Sequence, residues 1–310
     1  MVYNRPADWG IALPLRANRF GLSVALATPF AEDRSIDLAR FVAHGRQSLA
    51  DGCSSLTVFG TTGEGASLGL NERQRALGAM VGAGVDPAKQ LVVGIAASSV
   101  DDAMAQGRAG LMVGCPNFLL APPFYFKGAG DDGLFDWFSA VLTGLSPKAG
   151  NVILYHIPQV TSVGLSVALI DRLKKAFPKQ VGGVKDSSGD WDNGQALLKA
   201  HGDLHILIGD ERLLARAMNL GASGTICGLA NIAPDLMKAP VEGIEEPRIA
   251  EIIEQLAPFA FTAACKALVG HRRNDPLAWS RMRAPLRSLT EAECRKLFAA
   301  VDGIRAKRAA

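Results

Sequence analysis

A lysine closes an otherwise apolar, strand-like run in residues 181–189, VGGVKDSSG. A strand buried on both faces is rich in Val, Ile and Leu. An ammonium inside such a strand must be paired, reach water or give up its proton. Loss of the proton makes Lys185 an amine nucleophile. The competing reading is structural: the stem packs inward while the head meets solvent or a carboxylate such as Asp186. Other polar residues also follow apolar runs. Residues 60–65, GTTGEG, set Thr61 and Thr62 in a glycine-rich turn whose N–H groups and hydroxyls suit a carboxylate or phosphate. An ordinary βα turn would use the same residues for local geometry. The chain has three tyrosines. Two of them stand at strand ends, Tyr125 in APPFYFKG and Tyr155 in LYHIPQ, where a phenol relays protons if a hydroxyl or charge partners it. An aromatic lid or interface is the alternative for Tyr125, amid Pro122, Pro123, Phe124 and Phe126. Gly209, in IGDE, would let a ligand approach the backbone closely.

The elements that must position these residues repeat. Short apolar runs at 22–28, 55–59, 91–96, 117–121, 152–157, 181–185, 205–208 and 224–227 read as strands. Between them lie helical patterns at 38–50, 72–81, 101–111, 134–142, 167–177, 194–199 and 213–220, with a weaker one after Pro234. Asp37, Asn71 and Asp192 stand near starts and Gly52, Gly202 and Gly221 near ends, as capping chemistry prefers. Eight βα units predict a closed (β/α)8 TIM barrel over residues 20–240. An open doubly wound sheet is disfavoured because no GxGxxG follows the first strand. Residues 241–310 read as a C-terminal helical extension, broken by Pro276 and Pro285. In such a barrel the active site lies at the carboxyl ends of the strands, which is where the polar residues above collect.

Composition narrows the function classes. With 310 residues, 48% hydrophobic and 20% charged, the chain can bury a large core without disulfides or metals. A net charge of +3, with basic clusters only at Arg272–Arg273 and in the tail 305–308, argues against nucleic acid. Arg5, Asp8, Arg16 and Arg19 interrupt any signal-peptide core, and no run reaches the roughly eighteen apolar residues needed to span a bilayer. The expected location is cytoplasmic, with no membrane partner. Five cysteines lack CxxC spacing and read as reduced apolar residues. His201 and His205 flank a helix-to-strand junction and share no helical face, His44 sits in a helical pattern, and His271 reads as a loop residue; no metal site emerges. His156 follows Tyr155 near the expected pocket, although strand alternation points it away if Tyr155 points in.

Taken together and in order, GTTGEG, PPFYF, LYHIP, GVKDSSG and IGDE resemble the dihydrodipicolinate synthase / N-acetylneuraminate lyase family over residues 20–240. That resemblance implies a Schiff-base lyase or aldolase on an eight-stranded barrel, a homotetramer or homodimer, with no cofactor. It makes Lys185 the amine that forms an imine with pyruvate or another 2-oxo acid. Tyr155 becomes the proton shuttle, Thr61 and Thr62 the holders of the 2-oxo acid carboxylate, and Tyr125 a phenol linked through Thr61 that often reaches in from an adjacent subunit. Gly209 and Ile226 match backbone contact positions. Two departures bear on the second substrate, an aldehyde. Where the lysine-pathway synthase has an arginine that binds the second substrate's carboxylate, this chain has Val160, and His156 stands where asparagine is usual. These departures favour an aldehyde other than aspartate semialdehyde, such as the partner of a 2-keto-3-deoxy sugar acid aldolase, with Gln159, Thr161 and Ser162 as hydroxyl-binding groups. Dihydrodipicolinate synthase, a keto-deoxy sugar acid dehydratase and a catalytically retired barrel that binds a 2-oxo acid are the alternatives.

Overall fold

Short β-branched and leucine-rich runs, each ended by small or polar residues, form eight parallel strands: β1 Gly21–Ala25, β2 Ser55–Val58, β3 Leu91–Ile95, β4 Asn117–Leu120, β5 Asn151–His156, β6 Val181–Asp186, β7 His205–Ile208 and β8 Gly224–Cys227. They close in sequence order, β8 pairing back onto β1. The computed structural model describes residues 19–145 and 148–307. Residues 1–18, most of the stretch read for a signal-peptide core, and Arg308 of the basic tail lie outside the described residues. β1 stops short of the expected Thr28 because the Ala27 N–H bonds Asn231 Oδ1, 3.0 Å away, instead of a neighbouring strand.

Helices occupy the expected intervals, with differences at their caps. Asp37 caps Leu38–Ala50, accepting from the Arg40 N–H. Asp190, not Asp192, caps Trp191–Ala200; it stands outside the helix and accepts from the N–H groups of Asp192 and Asn193. Asn71 lies inside Leu70–Gly82, which starts after Gly69. The C-terminal part supplies helices Pro247–Leu256, Phe261–Arg272, Pro276–Trp279 and Glu291–Ala306. Pro276 opens a helix there, as its fixed φ and missing N–H allow. His271 is in a helix rather than a loop; it stacks on Phe298 with centroids 4.2 Å apart and bonds Asp302 Oδ2 at 2.7 Å. His44 is buried and satisfied by Asn231 Oδ1 at 2.9 Å and Arg273 at 2.8 Å. No single described helix is long and apolar enough to cross a membrane.

Strand alternation splits the apolar residues into two shells. A small cluster of Ala25, Val92, Leu119, Ile153, Tyr155, Leu207 and Ile226 fills the barrel interior, and a larger one lies between the strands and the helices. The pairing of β5 with β6 contains one irregularity that matters for the site. Val152 pairs with Val181 but Ile153 pairs with Gly183, so Gly182 is an extra, unpaired residue. Beyond it Tyr155 stands opposite Lys185; without it the partner would be Val184, whose side chain faces the other way. The backbone is tight here: a Cβ on Gly183 would sit 2.7 Å from the His205 carbonyl oxygen. Gly183→Ala should therefore cost about 1–3 kcal/mol of stability, the range for an overpacked core. Urea unfolding checks this, and an unchanged midpoint would remove Gly183 from that role.

Candidate active site

Lys185 and Tyr155 are neighbours in the β5–β6 ladder and both point toward the barrel axis, where each is 5% exposed. Adjacent strands run about 4.8 Å apart, so the ladder, once shifted at Gly182, brings the amine to the phenol. Lys185 Nζ donates to Tyr155 Oη at 3.2 Å and lies 4.3 Å from the ring centroid. Asp186, the carboxylate available to a structural lysine, faces the opposite side. It accepts from the Ser188 N–H at 2.9 Å, Ser188 Oγ at 2.7 Å and Asn193 Nδ2 at 2.9 Å.

Burial acts to push the Tyr155 phenol up. The Lys185 charge and hydrogen bonds with the Thr61, Lys185 and Ser187 side chains outweigh it and hold the phenol below the ordinary tyrosine range. A proton on Tyr155 thus has donors and acceptors on two sides. Ser187 escaped sequence reasoning, yet period-two alternation from Lys185 was the signal that could have found it. Glu211, the last residue of IGDE at the end of β7, also feels the Lys185 charge. It is buried, accepts from the Leu229 N–H at 3.1 Å, and burial pushes its carboxyl up while the Lys185 charge opposes that.

The GTTGEG loop is held to a narrow geometry by close backbone contacts. A Cβ on Gly65 would lie 1.7 Å from the Phe59 carbonyl oxygen, and one on Gly63 would lie 2.7 Å from that of Leu26. Arg73, 1% exposed, donates to the carbonyls of Gly65 at 2.6 Å and Gly94 at 2.8 Å. Burial brings its guanidinium down to about 10. Thr62 is buried, whereas Thr61 is exposed and still reaches the Tyr155 hydroxyl. Gly209 donates to the Asp186 carbonyl at 2.7 Å, and a Cβ there would meet Ser187 Oγ at 2.1 Å. Ile226 packs with Tyr155 in the barrel interior.

Other expected residues are not brought into this cluster. His156 is turned to the helix side by alternation; its Nδ1 accepts from the Leu165 N–H at 2.9 Å, so it serves the fold and not the pocket. Val160 is 56% exposed on the one-turn helix Pro158–Thr161 beyond β5. Its neighbours offer little to a ligand: Gln159 donates to the Ser187 carbonyl, and Thr161 Oγ1 has the carbonyls of Ile157 at 3.0 Å and Val163 at 2.9 Å as acceptors for its one proton. Tyr125 is 73% exposed, edge-on against Phe126, and so is presented outward from this chain. Its segment is anchored by Lys127, which donates to the carbonyls of Phe124 and Thr161.

An amine against a phenol that is hydrogen-bonded to further hydroxyls suits addition to a carbonyl followed by loss of water. The electrostatic link is testable without substrate. In Lys185→Met the attraction vanishes while burial remains, so phenolate absorbance from Tyr155 should move to higher pH than in the wild-type protein. A titration that superimposes on the wild type would disprove the link.

The family model described as the dihydrodipicolinate synthetase family matches residues 18–270. An uncharacterized DapA-like lyase of Chloroflexus aurantiacus is 31% identical over 92% of this chain and 97% of its own. The crystal structure of dihydrodipicolinate synthase from Agrobacterium tumefaciens superimposes with a TM-score of 0.89 at 47% identity, covering 92% of this chain and 99% of that one. A Sulfolobus 2-keto-3-deoxygluconate aldolase shares the fold, with a TM-score of 0.80 at 20% identity over 92% of this chain and 96% of its own. With the barrel, its strand-end motifs and these matches in agreement, the chain belongs to the dihydrodipicolinate synthetase family and is a lyase of that family.

Proposed function

We propose that this lyase joins or cleaves a C–C bond between pyruvate, or a related 2-oxo acid, and an aldehyde through an imine on Lys185. The observation that carries the reading is the buried amine of Lys185 bonded to the Tyr155 phenol at the carboxyl end of the barrel. The amine adds to the 2-oxo carbon. Tyr155 gives a proton to the resulting carbinolamine hydroxyl, water leaves, and the positively charged iminium draws electrons from the adjacent carbon. That carbon passes a proton back to Tyr155, becomes the nucleophilic end of an enamine and attacks the aldehyde, whose oxygen takes the proton up again. In reverse the C–C bond breaks toward the iminium, and in either direction water then releases the 2-oxo acid from Lys185. Thr61 and Thr62 hold the carboxylate with hydroxyl and amide donors, and Gly209 and Ile226 supply backbone at the pocket wall. The exposed Tyr125 completes the proton path in an adjacent copy of a homodimer or homotetramer. Four of the five cysteines are buried and none is paired, which supports a reducing, cytoplasmic setting.

Likeness to the Agrobacterium protein favours a second reading, dihydrodipicolinate synthase activity. Val160 opposes it, because a valine offers no ionic partner to a carboxylate on the incoming aldehyde. Borohydride reduction in the presence of saturating pyruvate, followed by digestion and mass spectrometry, should place the reduced adduct on Lys185. An unmodified Lys185 would refute the imine. In an aldehyde panel scored by pyruvate consumption, aldehydes without a carboxylate should turn over better than aspartate semialdehyde. Efficient formation of the cyclic product from aspartate semialdehyde, lost in Lys185→Ala, would establish the synthase instead.

A further inference from the structure

Glu64 and Lys266 form an ion pair at 2.7 Å with both side chains fully buried. Glu64 belongs to the GTTGEG loop and Lys266 to the C-terminal helix Phe261–Arg272. The second carboxylate oxygen accepts from the Arg283 N–H at 3.0 Å, again from the C-terminal part. Lys266 also donates to the Arg281 carbonyl at 2.5 Å and lies 4.3 Å from the Phe30 ring centroid. Glu64 adopts φ 54, a left-handed conformation uncommon for a residue with a side chain. Its N–H bonds the Thr61 carbonyl at 3.1 Å, and Thr262 Oγ1 donates to the same carbonyl at 3.4 Å. A buried pair of this kind is a poor way to add stability, since apolar residues of similar volume do as well or better. What it does supply is a fixed geometry.

We propose that Glu64 and Lys266 are positioning residues that tie the C-terminal helices to the Thr61–Thr62 turn and set its hydroxyls and amides for the carboxylate of the 2-oxo acid. The inference rests on the imine reading for the role of that turn. Neither residue reaches the reacting atoms; both act through the loop backbone. The helical extension is thus a working part of substrate recognition, and its contribution is selectivity for a carbonyl that carries a neighbouring carboxylate.

The test is cyanoborohydride trapping of Lys185 with pyruvate and, separately, with methyl pyruvate, which lacks the charge. In the double variant Glu64→Gln/Lys266→Met, which replaces the pair by neutral groups of similar size, the pyruvate concentration for half-maximal trapping should rise roughly tenfold or more, as misplaced positioning groups do. That for the methyl ester should change less than about twofold, because the ester brings no negative charge for the turn's donors to hold. Glu64→Gln alone keeps the side chain's length and an acceptor for the Arg283 N–H while removing the charge that Lys266 meets; it should shift the pyruvate-to-ester ratio in the same direction and decides the matter if the double variant does not fold. An unchanged ratio, or an equal loss for both compounds, overturns the proposal while wild-type trapping keeps the imine reading intact. No trapping in the wild-type protein overturns the imine reading, and the proposal with it.

Discussion

The register between β5 and β6 is the constraint on which the site depends. Parallel pairing alone would leave Tyr155 beside an outward-facing valine. One extra glycine shifts the ladder by a residue and brings the phenol to within 3.2 Å of the Lys185 amine. The shift is possible because Gly182 and Gly183 have no side chains: a Cβ on the former would fall 2.0 Å from Asn151 Oδ1. Two glycines in a strand weaken it locally. Here that local weakness is what lets two polar side chains share the barrel axis, while Asp186, one residue on, is turned away to Ser188 and Asn193.

Around that pair the barrel holds polar groups at its mouth with buried cations that do no chemistry. Arg73 ties the Gly65 carbonyl of the GTTGEG loop to those of Leu68 and Gly94, and Lys266 takes the loop's carboxylate. Each satisfies acceptors that would be costly to bury unpaired. Conformations such as φ 61 at Phe59 and φ 54 at Glu64 persist because packing on all sides over-determines them. The rigidity of the loop follows from these contacts, with glycine at each point where another backbone comes close.

The fold was largely legible in the chain. Each of the eight apolar runs became a strand, because a period-two or fully apolar pattern bounded by turn residues reports local geometry directly. The caps were less legible: Asp190 and Asp192 are equally good by type, and only the path of the chain chooses between them. Lys185 stood out as a charge in an apolar strand, and Tyr155 and Thr61 as polar residues at strand ends. Ser187 was overlooked for want of any signal but its spacing from Lys185. His156, Gln159 and Thr161 looked like pocket residues because they are polar and close by in sequence. Their hydrogen bonds run to Leu165, Ser187, Ile157 and Val163, and those partners are set by how the loop after β5 folds back.

Spacing and hydropathy by themselves determined the eight-stranded barrel and the lysine in its sixth strand, since these are written in residues near one another, and the order of the strand-end motifs carried the resemblance to the family. Only the tertiary structure decided which polar side chains meet. The β5–β6 bulge, the turn of His156 toward the helices and the outward Tyr125 depend on strand register and chain path. The Glu64–Lys266 pair joins residues 202 positions apart. A buried ion pair across such a distance has no local signature, because the charge that makes each burial tolerable comes from the far end of the chain.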